Sequence, residues 1–237
     1  MRSAVRPNRI CFSRTELAPH HREADKAIVY RQMARAALLA ALNDSYDATF
    51  RAPVMRQAVA HPNGFVKLPL GVVTHSEGRL FLHVWLTGIE DTQAHDHRWD
   101  FSSTVLRGAL YNTVLDVAQA DDGQAAAAPQ SSIHRVVRYQ PHEGGFRFDA
   151  RNEGRVDAAV RPTRVVTAGE RYGMSAFTFH QARAVPGTMT LVARGAPLKR
   201  YARVLTQGDV PEERQRWRHV SQAERLGYLR DALDCFA

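Results

Sequence analysis

With 237 residues, 44% of them hydrophobic, the chain is long enough and apolar enough to bury one full core. No apolar run approaches the roughly 18–20 residues that cross a bilayer, so no membrane-spanning helix is expected. The formal charge of +8 brings nucleic acid into question, but the basic residues are scattered arginines with only Lys26, Lys67 and Lys199 besides, and no basic ladder interleaved with aromatics is present.

In chain order, residues 1–14 read as a basic tail without the continuous apolar segment of a secretory signal. The pattern from Leu17 to Leu42 is helical, broken near Pro19, with Val29, Met33, Ala36, Ala37 and Ala40 at helical spacing. Residues 46–63 read as irregular, ending in a His-Pro-Asn-Gly turn at 61–64. Strand periodicity then takes over at 65–73, 79–87, 94–107, 109–117, 132–140, 162–168, 174–182, 188–194 and 199–206. Two connections stand out: an Ala/Gln/Asp-rich linker at 118–131 and a hairpin-like segment at 141–161. Helical spacing returns after Pro211, where Ser221 and Glu224 form a capping-box pattern ahead of Leu226, Leu229 and Leu233. This order assigns 15–63 and 208–237 to helical extensions around a barrel-like, mainly antiparallel β domain at 64–207.

On the 79–87 strand, Leu80, Leu82, Val84 and Leu86 share one face and Phe81, His83 and Trp85 the other. The aliphatic face suits packing under the N-terminal helix, which turns the aromatic and polar face inward. Cys11 and Cys235 are the only cysteines, so neither a disulfide framework nor a cysteine metal motif is expected, and a reducing cytoplasm fits.

The stretch Ala94-His-Asp-His-Arg-Trp-Asp-Phe-Ser-Ser-Thr-Val-Leu-Arg-Gly108 places His95 and His97 two residues apart on an extended segment. Alternation points both imidazoles the same way, which makes half of a metal site. The chain has 11 histidines from which a third ligand can come. His20, His21, His61, His75, His142 and His219 fall in helical or turn segments and read as solvated, and His134 sits among arginines. His83 and His180 occupy strongly apolar strands. Met174, Ala176, Thr178 and His180 share a face, but a lone histidine on such a strand ordinarily reads as a hydrogen-bonded core residue.

These residues resemble the cupin superfamily. Its first motif is matched by His95-Asp-His97 with Gly108 downstream, and its second by Gly169-Glu170 followed by His180 and the apolar strand 189–194. The wording His-Asp-His-Arg-Trp-Asp-Phe, preceded by Leu82-His83-Val84-Trp85, is also similar to small bacterial and phage cupins of undefined function. The resemblance covers roughly residues 65–206 and implies a double-stranded β-helix, or jelly-roll barrel, with flanking helices. It makes His180 the third ligand beside His95 and His97.

The family's usual acidic ligand would fall at 101 or 102, where this chain has Phe101 and Ser102; Asp96, Arg98 and Asp100 are expected to face outward. The resulting three-His set is similar to that of cysteine-dioxygenase-like cupins, although no Cys–Tyr crosslink has a candidate here. It implies one divalent metal ion, Fe(II) first, with Zn, Mn or Ni as alternatives. The implied function is a non-haem Fe(II) oxygenase acting, with dioxygen, on a small polar metabolite such as an amino-acid derivative. Isomerase, epimerase or lyase chemistry is the alternative, and a non-catalytic ligand-sensing or nucleic-acid-binding module is the alternative of another class. His83 and Tyr172 are the acid/base candidates; Trp85, Trp99, Arg107, Tyr111, Thr178 and Arg194 are the substrate-contact candidates. Homodimerisation through the flanking helices is a further expectation.

Overall fold

The computed structural model describes residues 22–46, 57–61, 63–72, 78–88, 93–120, 126, 131–142, 145–208 and 215–237. The tail at 1–14, the start of the first helix, the centre of the 118–131 linker, and His20, His21 and His75 lie outside the described residues.

Helix α1 (Arg22–Tyr46) leads into β1 (Val59–His61), β2 (Phe65–Val72) and β3 (Arg79–Trp85). Next come β4 (Phe101–Arg107), β5 (Ala109–Ala120), β6 (Ser131–His142) and β7 (Gly145–Val160), the last two forming a long hairpin where a shorter connection was expected. Then follow β8 (Arg164–Thr167), β9 (Arg171–Met174), β10 (Phe179–Ala184), β11 (Met189–Arg194) and β12 (Ala202–Thr206). Short β13 (Gln215–Arg216) and β14 (Arg218–His219) precede helix α2 (Gln222–Asp234).

The strands form two antiparallel sheets. One runs β14-β1-β2-β3-β11-β4-β9; the other runs β10-β5-β7-β6-β12, with β8 beside β5 and β13 beside β7. His95 bridges both β10 and β12 through His180 and Val204, so residue 95 ties together the two ends of the second sheet. The chain is thus a mainly β, jelly-roll barrel with a helix at either end of the sequence. Its sheets draw in β1, β13 and β14 from segments on both sides of 64–207.

Alternation explains what each sheet face does. Leu82 and Val84 of β3, Val66 and Leu68 of β2, and Met189 and Leu191 of β11 pack with Ala34, Ala37, Leu38 and Ala41 of α1 and Leu229 and Ala232 of α2. Burying each such large aliphatic side chain stabilises the fold by roughly 1.5–3 kcal/mol. The helical stripe is rotated from the expected one: Ala36 is exposed, while Ala34, Leu38 and Ala41 are buried. A helix so rich in alanine carries several equivalent spacings, and the contact with β2 and α2 selects among them. The capping box forms as read, with the Ser221 hydroxyl accepting from Glu224 N and the Glu224 carboxylate accepting from Ser221 N.

Between the sheets, one end of the barrel is filled by Val105, Leu110, Val166, Met174 and Ala184. The other end is left open, and it holds the site.

Two expected strands are broken. The 94–107 segment is a single-residue bridge at His95, an irregular stretch at 96–100, and then β4. The 174–182 segment turns at 175–178 between β9 and β10. In both places side-chain acceptors hold the kink. Asp100 Oδ1 accepts from Ala176 N at 2.7 Å, and Asp96 Oδ1 accepts from Arg203 N at 2.7 Å.

Candidate metal centre

His95 and His180 exchange both backbone hydrogen bonds at 2.9 Å, each N–H donating to the other's carbonyl, so their side chains leave the sheet on the same face. His97 follows two residues later on the irregular stretch and meets them there. Its Nε2 lies 2.8 Å from His180 Nε2, and the ligand atoms of His95, His97 and His180 all fall within 4.8 Å of one another. The first-noted pair of histidines and the distant third therefore form one cluster.

Asp96 lies between the two histidines of the motif. It is fully buried, and its Oδ2 accepts from Lys199 Nζ and, at 2.7 Å, from Arg203 Nε. This corrects the expectation of an outward-facing residue. Asp96 turns away from the cluster, as alternation requires, but into β12 and the segment before it, where three donors fix the backbone that carries His95 and His97. Asp100 is likewise engaged with Ala176, and Arg98 reaches the cavity wall.

The donor set fits a divalent cation. Asn112, on β5 opposite Ala182, accepts a hydrogen bond from His180 Nδ1 at 2.7 Å. His95 Nδ1 lies 3.3 Å from the Gln93 carbonyl and donates to it. Both contacts place the proton on Nδ1 and leave Nε2 as a lone-pair donor toward the cluster. Burial, with His95, His180, Lys67 and His83 adding positive potential in that order, holds the His97 imidazolium well below its ordinary range. Burial and then His95 do the same to His180. Neutral imidazoles whose lone pairs converge at 2.8 Å repel one another unless a proton or a cation lies among them. Among the described residues no carboxylate joins the cluster.

The cluster opens into a cavity of about 170 Å³. Of the sequence candidates, His83, Trp85, Trp99, Tyr172 and Arg194 line it. Arg107, Tyr111 and Thr178 do not. Arg107 is exposed and reaches the Gly187 carbonyl; Tyr111 lies under the Arg183 guanidinium, 4.1 Å from its ring centroid; Thr178 faces a separate cleft beside Asn112 and Arg161. The Thr178 expectation fails because the turn at 175–178 interrupts the alternation that put it on His180's face.

The structure also brings in residues that went unnoticed in the sequence. His61, expected to be solvated, ends β1 inside the cavity; its ring stacks on Phe65 at 4.6 Å, which stacks on His83 at 4.5 Å. Burial, then Lys67 and His95, lowers the His61 imidazole to about 3. Lys67, paired in register with His83 across β2 and β3, lines the same wall. Its parity with Phe65, opposite the buried Val66 and Leu68, was the available signal. Burial, then Lys67 and His61, keeps His83 well below its ordinary range, and its Nε2 is buried without a hydrogen bond. Burial pushes the Tyr172 phenol up to about 12, opposed by the Ser103 hydroxyl on the register partner in β4.

No family model matches the sequence, and no curated protein matches it. Among solved structures, the chain is similar to an RmlC-like cupin from Shewanella frigidimarina, at 15% identity over 62% of this chain and 91% of that one, with a TM-score of 0.35. It is similar to KdgF from Halomonas sp., at 14% identity over 66% and 93% of the two chains, TM-score 0.32. It is also similar to the DMSP lyase DddQ from Ruegeria pomeroyi, at 15% identity over 69% of this chain and 59% of that one, TM-score 0.35. The chain's own geometry stands beside these likenesses: two antiparallel sheets with a three-histidine cluster that could hold a metal ion.

Proposed function

We propose that the chain is a mononuclear metal-dependent enzyme, an Fe(II)-type oxygenase acting on a small polar metabolite. The observation that carries this reading is the convergence of His95, His97 and His180, without a carboxylate among the described residues, on a cavity at the open end of the barrel. When bound, a divalent ion held by three neutral ligands keeps its full charge and open coordination positions, which suits substrate chelation and dioxygen use.

The protein's own residues support the rest. Asn112 and the Gln93 carbonyl orient two of the rings. Phe65, Phe101, Trp85 and Trp99 exclude water from the cavity walls. His83 Nε2 and Trp85 Nε1 are buried without partners and face a bound molecule as hydrogen-bonding groups. His83, kept neutral because burial disfavours its imidazolium, can accept a hydrogen bond from substrate, while Tyr172 remains a protonated phenol that can donate one.

Metal analysis of the purified protein tests the reading, with His95→Ala and His180→Ala as controls. About one metal ion per chain in the wild type, lost in both variants, is expected. Full occupancy in both variants overturns the site. Oxygen consumption by the Fe(II)-loaded protein with amino-acid derivatives then divides oxygenase from lyase or isomerase chemistry: turnover without oxygen uptake assigns the latter.

A further inference from the structure

Beside the histidine cluster the cavity carries an unexplained concentration of positive charge. Lys67 Nζ stands 4.5 Å from the centroid of the Phe81 ring and 5.8 Å from that of Trp99. Arg194 Cζ stands 4.0 Å from the Trp99 centroid and 5.6 Å from Phe81. Two cations therefore share the same two aromatic rings. Arg98, a third, lies 5.8 Å from Trp99.

Among the described residues that line the cavity, none is an aspartate or glutamate. The nearby acids are otherwise engaged: Asp96 with Lys199 and Arg203, and Asp100 with the backbone of Ala176. Arg194 Nε and Nη1 are buried without a hydrogen bond. Burial and then the Arg194 charge bring the Lys67 ammonium down to about 8, and burial with Arg79 and Arg98 brings Arg194 to about 10.

Like charges set against aromatic rings, with two Arg194 donors unmet, cost stability unless something else compensates them. Cation–π contacts with Phe81 and Trp99 offset only part of that cost. An arrangement of this kind is retained for a ligand of opposite charge.

We propose that Lys67 and Arg194 form a subsite for the carboxylate of a small, flat-bodied organic acid, whose remainder lies along the aromatic wall toward the histidine cluster. Trp99 joins the two halves, its ring 6.4 Å from that of His97 and also under Arg194. Phe81, Trp99, Phe65 and Trp85 supply the apolar walls for the body. The subsite names the substrate class for the function proposed above and rests on reading this cavity as the substrate site.

The test is binding, with benzoate, benzamide and phenyl phosphate as probes. Trp85 and Trp99 in the cavity wall provide a fluorescence readout, checked by calorimetry. Titrations are run on Zn(II)-loaded and on EDTA-treated wild type, Lys67→Met, Arg194→Met and Lys67→Arg. Benzoate is expected to bind both wild-type forms and to weaken by about tenfold or more in each methionine variant. Lys67→Arg should retain binding, and benzamide should bind the wild type no better than benzoate binds the variants. Ligand-free Lys67→Met should also melt above the wild type, because it removes an uncompensated charge from the half-buried cavity wall. Equal binding of benzoate and benzamide, or benzoate binding unchanged in both methionine variants, overturns the subsite. Phenyl phosphate binding tenfold tighter than benzoate, with the same sensitivity to the variants, overturns the carboxylate assignment. Metal content separates the two readings. Stoichiometric metal with benzoate behaving like benzamide removes the subsite alone; charge-dependent benzoate binding without metal uptake removes the metal centre alone.

Discussion

Asn112 Oδ1 accepts the Nδ1 proton of His180 at 2.7 Å, from the neighbouring strand of the same sheet. Asn112 is itself buried, at 6% exposure, so the contact is not shared with bulk water. This bond fixes which nitrogen of His180 is free to act as a ligand and how the ring is turned. Replacing the amide with an isosteric apolar side chain leaves all three histidines in place but releases the tautomer. Asn112→Leu is expected to weaken metal binding by roughly 10–100-fold, the usual cost of losing such an orienting contact. Competition with a chromogenic chelator measures it. Unchanged affinity would mean that packing alone orients His180.

The strands were readable because alternation in β3 and β11 leaves one face or both faces aliphatic, and the His95, His97 and His180 set was readable through motif resemblance. What escaped the sequence depends on partners far along the chain. The role of Asp96 is decided by Lys199 and Arg203, 103 and 107 positions away, and nothing local distinguishes it from an exposed acid. His61 looks like a turn residue until β1 is seen to pair with β2 and β14 and so carry it into the cavity. Arg107 and Tyr111 were plausible by type, but their strand positions put them outside the cavity lining. Thr178 was lost to a turn that alternation cannot anticipate.

Asp96 is expected to be the most sensitive non-ligand position. Its carboxylate is fully buried and compensates two cations, so Asp96→Ala leaves Lys199 and Arg203 without their counter-charge and frees the backbone between two ligands. Breaking one partner of a buried ion pair costs about 3–5 kcal/mol. Urea unfolding should show that loss, with metal stoichiometry falling alongside it. A change below about 1 kcal/mol would mean that Asp96 is not structurally required.

Gly108 joins β4 to β5 with φ at 83°, and a Cβ added there would lie 2.3 Å from Thr188 Oγ1 and 3.0 Å from Thr188 Cα. Thr188 cannot swing aside. It is fully buried, and its hydroxyl accepts from Ala109 N and donates to Ala109 O, both at 3.1 Å. Gly108→Ala therefore combines a left-handed backbone with a packed obstacle and should cost about 2–4 kcal/mol. Thermal or urea denaturation reads the loss; the folded fraction should still take up metal, because no ligand is displaced.

The cavity should also make the fold acid-labile from an unusually high pH. His61 and His83 are both held neutral, chiefly by burial. Once unfolded, each ring titrates near 6.5. As pH falls below that value the unfolded chain binds protons that the folded chain refuses, so stability must decrease. Each ring contributes about 1.4 kcal/mol per pH unit through this window, until its own folded-state value is reached, which for His61 is about 3. Lys67 acts in the same direction at the alkaline end. Its value of about 8 in the fold, against 10.5 when unfolded, makes the protein lose stability as pH falls from above 10 to 8. Urea unfolding of the metal-free protein between pH 5 and 11 should therefore give two descending limbs toward acid. Lys67→Met should flatten the upper limb and leave a lower one. A stability that stays level between pH 7 and 5 would mean that these rings are hydrated enough to ionise in place.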